Sequence, residues 1–365
     1  MNNEHSLGHE SLAVNVSKSK SECSSDELTA GRAVSVAVVG CGYWGPNLMR
    51  NFHTLPQSIL HSVCDKSVKK LASFKAIYPA AKPYTDFHEL LEQPEVNAVA
   101  IATPPHLHFD MAKAALLARK HVLIEKPMAS SSSESEVLVR IAREQNLTLM
   151  VGHTYLYSNA VRCIKALIDN GEIGELEHIS TRRANFGHFH SDINVAWDLA
   201  PHDLSILLYL ASSRPEMVGC QGVANKTPGV EDETVMSLRF GSGLTATVQN
   251  SWLNPDKVRE MVISGSRKTI VYNDMEPLNK VRVHDLRVES ELVDGSKLRH
   301  HVGGAASPVL QALEPLTAEC KHFLDCITDG TASLTDGLHA TDVIRILEAS
   351  SVSLQERGAQ VRVKY

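Results

Sequence analysis

The feature that most constrains the fold is a glycine-rich turn, with Gly40, Gly42 and Gly45 in "VAVVGCGYWGPNLMRNF". The β-branched run before it predicts a buried strand, and the residues after it predict a helix. In such a turn the first glycine permits the bend, the second lets a pyrophosphate approach the backbone, and the third lets helix and strand pack closely. We therefore predict that a dinucleotide binds here, with Tyr43 and Trp44 beside it.

An acidic residue follows at the spacing that a dinucleotide site requires. Asp65 ends the next apolar run, twenty residues after Gly45 (65 − 45), where a carboxylate accepts hydrogen bonds from a ribose diol. A carboxylate there repels a 2′-phosphate, so NAD is favoured over NADP, although the neighbouring Lys66 leaves NADP possible. The simpler alternative is three ordinary turn glycines and a strand-end cap.

Apolar runs alternate with amphipathic segments over the first part of the chain. This pattern is typical of a doubly wound parallel sheet, and we predict a Rossmann-type domain over residues 32–153. From residue 154 to 365, strand-like runs joined by turn signals such as "GSG" predict an α+β domain with a large, mostly antiparallel sheet. Its last helix is expected to pack back on the first domain. The remaining predicted strands lie at 59–65, 96–103, 120–127 and 147–153, and helices at 67–78, 107–120, 131–145, 311–328 and 337–356.

Composition narrows the class of protein. The 365 residues carry a net charge of −6 with a pI near 6.3, which makes nucleic acids and membrane surfaces poor partners. There is no secretory signal and no long apolar run, so we predict a soluble, cytoplasmic protein. Residues 1–31 are polar without periodicity and predict a disordered tail. Seven scattered cysteines without a C-x-x-C pair predict reduced thiols.

A buried strand "KHVLIEKP" ends in Glu125 and Lys126. Ligands of open α/β sheets bind beyond the carboxyl ends of the strands, so an acid and a base at this place are candidate functional groups. An ion pair that merely caps the strand is the alternative.

A second candidate is the helix "WDLAPHDLSILLYL", which carries Asp198, His202, Ser205 and Tyr209 along one face. Residues four apart are neighbours on a helix, so the Asp198 carboxylate is expected to orient the His202 imidazole. Pro201 is expected at the helix start, where backbone N–H groups lack partners. The alternative is an N-cap aspartate and an ordinary core histidine. Asp203, on another face, is expected to be structural.

The glycine turn, "ATPPHLH", "EKP" and "WDLAPHD" occur in an order that resembles the Gfo/Idh/MocA family of glucose-fructose oxidoreductase and inositol dehydrogenase. The resemblance extends from about Ser35 to the C-terminus. It implies that Lys126 lies near the nicotinamide and that Asp198 and His202 supply acid and base. It further implies cofactor contacts from Thr103, Pro104, His108 and Glu125, and substrate contacts from Arg183, Asn185, Tyr155 and Trp197.

By the same resemblance the activity is NAD-dependent oxidation of a secondary sugar hydroxyl. The closest branch implies C3 of a UDP-linked N-acetylhexosamine or its uronic acid. His202 is the predicted base, while Lys126 holds the substrate oxygen and Asp198 orients His202. A lysine with a lowered pKa is the alternative base.

Two other functions remain open at this stage. One is an NADPH-dependent 3-ketoreductase in deoxysugar assembly, and the other is a non-catalytic dinucleotide-binding sensor. No metal site is predicted, because His188 and His190 stand on an irregular stretch without a fixed carboxylate partner. An apolar outer face of the antiparallel sheet is expected to pair, giving a homodimer or homotetramer.

Overall fold

The computed structural model describes residues 33–187, 189–191, 193–291 and 297–365. Arg32–Tyr365 form one compact unit that contains two sheets. The predicted tail over residues 1–31 lies outside the described residues, and the predicted division between residues 153 and 154 stays a prediction. Within the described ranges, no helix combines the length and apolar character needed to cross a bilayer.

Strand and helix alternate in the first part of the chain, as the sequence predicts. The sheet strands are buried on both faces because helices cover each side. Its strands are β1 (Val34–Val39), β2 (Ser58–Cys64), β3 (Lys82–Tyr84), β4 (Ala98–Ile101), β5 (His121–Ile124) and β6 (Leu149–Val151). Its helices are α1 (Gly45–Thr54), α2 (Val68–Ile77), α3 (Phe87–Leu91), α4 (His108–Leu117) and α5 (Ser132–Gln145).

The strand order is β3-β2-β1-β4-β5-β6, with every neighbouring pair parallel. This is the doubly wound Rossmann order, and its carboxyl edge carries the glycine turn and the end of β5. The sequence analysis missed β3 and α3, which are three and five residues long. Segments this short carry too few residues to show a periodicity.

The second sheet has nine strands in the order β14-β13-β12-β11-β7-β10-β9-β8-β15, and all its pairs are antiparallel except β10 with β7. This confirms the predicted mostly antiparallel sheet. Its strands are β7 (Leu176–Ala184), β8 (Pro215–Val223), β9 (Glu233–Phe240), β10 (Thr245–Ser251), β11 (Val258–Gly265), β12 (Thr269–Asn273), β13 (Val281–Glu291), β14 (Lys297–Ala306) and β15 (Val361–Arg362). The helices in this part are α6 (Asn159–Asp169), α7 (Val195–Ala211), α8 (Pro315–Thr328) and α9 (Gly337–Gln355).

The helix α7 begins earlier than the sequence suggests. Asn194 caps it by accepting from the backbone N–H of Trp197 at 3.2 Å, so Pro201 lies inside the helix and not at its start. A proline inside a helix removes one N–H donor and displaces the carbonyls of the preceding turn. Carbonyl oxygens of this turn are therefore available to donors from outside the helix.

The last long helix, α9, packs against α5 of the first sheet's layer. Glu348 of α9 accepts from the backbone N–H and the hydroxyl of Ser132, at 2.8 and 2.6 Å. Arg345 reaches Glu136 at 2.7 Å, and the indole N–H of Trp197 donates to Ser351 at 2.9 Å. Through α9, these contacts fix α7 relative to α5. The candidate site lies between α7 and the edge of the first sheet.

Candidate active site

The glycine turn has the geometry that a dinucleotide requires. Gly40 adopts φ +97°, where a side chain is strained, and a Cβ there would stand 2.5 Å from the Ala102 carbonyl oxygen. A Cβ on Gly45 would stand 1.9 Å from the Gly40 carbonyl oxygen, so this glycine lets α1 close on the turn. A Cβ on Gly42 would meet no atom within 4 Å apart from its chain neighbours, which leaves an open backbone surface for a pyrophosphate.

The Asp65 carboxylate faces the same turn. Its Oδ2 accepts from the backbone N–H of Cys41 at 2.7 Å, and its Oδ1 accepts from Ser67 at 2.8 Å. Each carboxylate oxygen has a further lone pair, so the group can still accept from a ribose hydroxyl. The Lys70 ammonium lies 3.8 Å from Oδ2, and Lys66 is exposed. The turn and this carboxylate therefore fit the adenosine half of a dinucleotide.

Two alanine substitutions in the turn are expected to separate folding from cofactor binding. Gly45→Ala places a methyl group against the Gly40 carbonyl and is expected to destabilise the domain by about 1–3 kcal/mol. Gly42→Ala meets no atom of the protein, so it should fold normally and weaken dinucleotide binding about tenfold or more. Thermal unfolding and titration calorimetry measure the two effects. Normal NAD affinity in Gly42→Ala would contradict the predicted pyrophosphate contact.

A cleft of about 1180 Å³ lies beyond the carboxyl ends of β5 and β6. Lys126, Asp198 and His202 all line it, although they come from the first sheet's edge and from α7. Tyr155 lines it too. The sequence-based prediction that these groups share one cavity is therefore met in the structure. Other predicted residues on its wall are Tyr43, Trp44 and Glu125.

Lys126 is anchored to α7. Its Nζ donates to the backbone carbonyl oxygen of Asp198 at 3.0 Å, within the turn that Pro201 distorts. Burial lowers the pKa of the lysine, and the carboxylates of Asp198 and Glu125 oppose that change. The ammonium is thus held at the cleft wall by a neutral oxygen and retains donors for a ligand.

The expected hydrogen bond between Asp198 and His202 does not form, which corrects the sequence analysis. Asp198 Oδ2 accepts instead from the indole N–H of Trp252 at 2.9 Å, and His202 Nδ1 is buried without a hydrogen-bond partner among the described residues. Burial, followed by the nearby charges of Lys126 and Arg183, sets the pKa of His202 well below its usual value. The imidazole is therefore neutral at physiological pH and able to accept a proton.

Two carboxyl groups lie at the cleft, Glu125 on its wall and Glu319 behind it. Burial raises the pKa of Glu125 to about 8, and Gly152 leaves room for its carboxylate, since a Cβ there would stand 3.0 Å from Oε2. Glu319 of α8 is fully buried, and its Oε2 accepts from the Thr154 hydroxyl at 2.7 Å. Its Oε1 has no hydrogen-bond partner in the described part of the chain, and burial raises its pKa well above the usual range.

Glu319→Gln is expected to stabilise the protein by about 1–3 kcal/mol near pH 8 and to change little near pH 4.5. The glutamate pKa is raised by folding, so the wild type loses stability as pH rises above the unfolded-state pKa, and glutamine does not titrate. Glu314→Gln is the control, because the Arg50 hydrogen bond lowers the pKa of Glu314 and reverses the trend. Denaturant unfolding across this pH range measures both. Equal stability of Glu319→Gln and wild type at pH 8 would refute the prediction.

The predicted substrate residue Arg183 is engaged within the protein. It forms a buried bidentate ion pair with Asp203, with both N···O distances 2.8 Å, which agrees with the structural role expected of Asp203. Its guanidinium also lies 4.6 Å from the ring centroid of Tyr155, whose ring in turn contacts His202 edge-on at 5.0 Å. Arg183 therefore acts on the cleft through Tyr155. Asn185 Oδ1 accepts from Arg259 at 2.7 Å.

Three other predicted contacts are occupied by the fold. The Trp197 indole N–H is bonded to Ser351, so Trp197 joins two helices and does not face the cleft. His108 is buried, and its ring nitrogens lie 2.8 Å from the Thr103 carbonyl oxygen and 2.7 Å from that of Pro127. Its predicted cofactor contact stays a prediction, as do those of Thr103 and Pro104. In the structure His108 ties the ends of β4 and β5 together.

His188, one half of the metal site considered from the sequence, lies outside the described residues. His190 packs its ring 5.6 Å from Trp252. Over the described ranges, no group of three or more histidine, cysteine or carboxylate side chains is arranged to hold a metal ion. The predicted lack of a metal remains a prediction.

Comparison with known families accounts for this arrangement. Residues 34–153 match the model of the GFO/IDH/MocA oxidoreductase family with its NAD-binding Rossmann fold, and residues 161–271 match the model of the GFO/IDH/MocA C-terminal domain. The chain belongs to the Gfo/Idh/MocA oxidoreductase family. The fold class, the enzyme class and the dinucleotide-binding Rossmann unit predicted from the sequence are thereby confirmed.

Gfo/Idh/MocA relatives of this chain act on different substrates. A UDP-N-acetylglucosamine 3-dehydrogenase from Acidithiobacillus ferrooxidans is 26% identical over 320 residues, which cover 84% of this chain and 93% of the relative. Its solved structure, 24% identical, has a TM-score of 0.76 and covers 89% of this chain and 99% of that one. A myo-inositol 2-dehydrogenase from Thermotoga maritima is 25% identical over 226 residues, covering 59% of this chain and 68% of the relative.

A scyllo-inositol dehydrogenase from Lactobacillus casei, solved with bound NAD(H) and scyllo-inositol, shares the fold with a TM-score of 0.75 at 17% identity. It covers 91% of this chain and 99% of that one. The UDP-N-acetylglucosamine 3-dehydrogenase and the myo-inositol 2-dehydrogenase, which have different substrates, thus have almost equal identity to this chain, 26% and 25%. Sequence identity establishes this Gfo/Idh/MocA chain as an oxidoreductase but does not select its substrate.

Several residues of this Gfo/Idh/MocA site were missed from the sequence. Thr154 lies three residues after the end of β6, so the rule that ligands bind beyond the carboxyl ends of strands, which pointed to Lys126, could have found it. Trp252, Arg259 and Glu319 gave no signal, because each reaches the site from an ordinary strand end or helix. Asp274 and Lys280, which form an ion pair at 2.6 Å on the cleft wall, come from the connection between β12 and β13.

Proposed function

We propose that this protein is an NAD-dependent dehydrogenase that oxidises a secondary hydroxyl of a sugar. The preferred substrate is a nucleotide-linked N-acetylhexosamine or its uronic acid, oxidised at C3. The observation that carries the proposal is the convergence of Lys126, Asp198 and His202 on one cleft beside the glycine turn. An ammonium, a carboxylate and a neutral imidazole are the groups that alcohol oxidation requires.

The chemistry follows from the charge state of each group. When bound, the nicotinamide accepts a hydride from the carbon that bears the hydroxyl. His202 is neutral because burial and neighbouring cations lower its pKa, so it accepts the hydroxyl proton. Lys126 donates a hydrogen bond to the same oxygen and stabilises the negative charge that develops there. The Tyr155 ring, held by Arg183, limits the positions of the His202 imidazole.

The choice of NAD rests on Asp65. Its carboxylate faces the glycine turn at the place where a ribose diol would lie and would repel a 2′-phosphate. The Lys70 ammonium at 3.8 Å favours the opposite choice. This lysine is the observation that keeps an NADPH-dependent 3-ketoreductase as the second candidate function.

The choice of substrate rests on the UDP-N-acetylglucosamine 3-dehydrogenase, which matches this chain over most of both lengths. The size of the cleft, about 1180 Å³, allows a nucleotide-linked sugar beside a dinucleotide. A homodimer or homotetramer built through the outer face of the second sheet stays a prediction.

The deciding experiment is a screen of UDP- and dTDP-hexoses, their uronic acids and free inositols for NADH formation at 340 nm. We expect turnover of a UDP-N-acetylhexosamine or its uronic acid with NAD. Reduction of the product with borodeuteride should place one deuterium at C3, and mass spectrometry measures its position. Turnover of an inositol alone would contradict the nucleotide sugar. Tighter binding of NADPH than of NADH by calorimetry would favour the ketoreductase.

A further inference from the structure

Trp252 connects the second sheet to Lys126 through hydrogen bonds to one intervening residue, Asp198. It directly follows β10 and is 1% exposed. Its indole Nε1 donates to Asp198 Oδ2 at 2.9 Å, and the backbone carbonyl of Asp198 accepts from Lys126 Nζ at 3.0 Å. The Asp198 carboxylate is thus bound by a residue of the second sheet, while its backbone carbonyl is bound by Lys126 at the end of β5.

The surroundings of Trp252 leave its ring little freedom. Its backbone N–H donates to the Asp232 carbonyl at 2.9 Å, and its side chain packs in a small core cluster with Val195 and Leu199. The ring of Phe189 contacts it edge-on at 5.8 Å. A donor held this firmly fixes the direction of the carboxylate that it binds, because the hydrogen bond weakens steeply when it bends.

The hydrogen bond to Trp252 also explains why the Asp198 carboxylate forms no hydrogen bond with His202. Oδ2 is taken by the indole, and Oδ1 accepts no hydrogen bond from any residue in the described ranges, although Asp198 lines the cleft. His202 Nδ1 has no partner in the same part of the chain. A carboxylate free to rotate could turn towards that imidazole and raise its pKa, or could pair with the Lys126 ammonium and occupy the donors that the substrate oxygen needs.

We propose that Trp252 is a positioning residue, whose indole N–H fixes the Asp198 carboxylate so that α7 presents an anchoring carbonyl to Lys126 and one unpaired carboxylate oxygen to the cleft. The inference rests on the proposed dehydrogenase function, which it deepens. The proposed role requires the indole N–H. Phenylalanine fills most of the same space but has no hydrogen-bond donor.

Trp252→Phe is the direct test. We expect kcat to fall about 10-fold to 100-fold, as for loss of a hydrogen bond to a charged group, while KM and NAD affinity change less than about threefold. Tyr157→Phe is the control, because it also removes one buried side-chain hydrogen bond, of 3.1 Å to the Thr335 hydroxyl, and Tyr157 does not line the cleft. Melting temperatures identify any general loss of stability in either variant.

A double-mutant cycle tests whether Trp252 acts through Asp198. If it does, Trp252→Phe should lower kcat by less than about threefold further when introduced into Asp198→Ala. Full additivity of the two losses would show that Trp252 acts by another route and would overturn the inference.

A measurement without substrate separates this inference from the proposed function. The rate at which trinitrobenzenesulfonate labels Lys126, followed by mass spectrometry, should rise about threefold in Trp252→Phe, since Asp198, whose carbonyl accepts from the lysine, is then held less firmly. It should stay unchanged in Tyr157→Phe. If wild type oxidises none of the sugars but the labelling rate rises, the proposed function fails and the positioning role holds. Unchanged labelling of a folded Trp252→Phe would refute the positioning role.

Discussion

Lys126→Met should lower kcat by about 100-fold to 10,000-fold and leave NAD affinity within about threefold of wild type. Methionine keeps much of the aliphatic side chain but removes the ammonium that donates to the Asp198 carbonyl and faces the cleft. Without it, negative charge on the substrate oxygen develops with no donor beside it. Steady-state kinetics on the substrate identified by the screen and calorimetry with NAD measure the two quantities.

The matched control is Lys280→Met, which removes a second ammonium from the wall of the same cleft. Lys280 is paired with Asp274 at 2.6 Å, and its loss should change kcat by less than about threefold. Equal losses in both variants would point to a general effect of charge in the cleft. A Lys126→Met protein with wild-type turnover would remove Lys126 from the mechanism.

His202→Asn should lower kcat by about 100-fold or more and change the pH dependence of kcat/KM. A base acts in its unprotonated form, and the pKa of His202 is held well below its usual value by burial, Lys126 and Arg183. We therefore expect the wild-type rate to fall only well below pH 6.5, and this acidic limb to disappear in the variant. Initial rates between pH 5 and pH 10, in buffers of constant ionic strength, measure the profile.

The same profile decides between the two candidate bases. If Lys126 were the base, the rate would rise on the alkaline side up to the pKa of its ammonium, which burial lowers. Glu125 also titrates in this range, because burial raises its pKa to about 8. An inflection near pH 8 that disappears in Glu125→Gln belongs to Glu125. An alkaline rise that survives in both Glu125→Gln and His202→Asn would assign the base to Lys126.

The predictable part of this site is local in sequence. A strand, a glycine turn and a helix are set by neighbouring residues, and Asp65 follows at a spacing fixed by one βαβ unit. Lys126 was found because parallel strands bring their carboxyl ends to one edge of the sheet. His202 and Tyr155 were named from resemblance to the family, and both line the cleft, while their roles stay predictions.

What the sequence did not predict is which side chains form hydrogen bonds and ion pairs with one another in the site. Four-residue spacing placed His202 nearest to Asp198 along the helix, but the donor that binds the carboxylate is Trp252, 54 residues away. Arg183 forms a buried ion pair with Asp203, twenty residues later, which the sequence did not indicate, and its predicted substrate contact stays a prediction. Such choices depend on how strands of the second sheet stack against α7, which periodicity does not reveal.

The sequence alone therefore determined the Rossmann unit, the dinucleotide turn and the position of the lysine, since each follows from short-range backbone geometry. Only the tertiary structure decided which donor holds Asp198, why the His202 imidazole is neutral, and that Glu319 supports Thr154 from 165 residues away. The physical reason is that a buried polar group binds the donor or acceptor that packing brings within about 3 Å, and distant segments compete for that place.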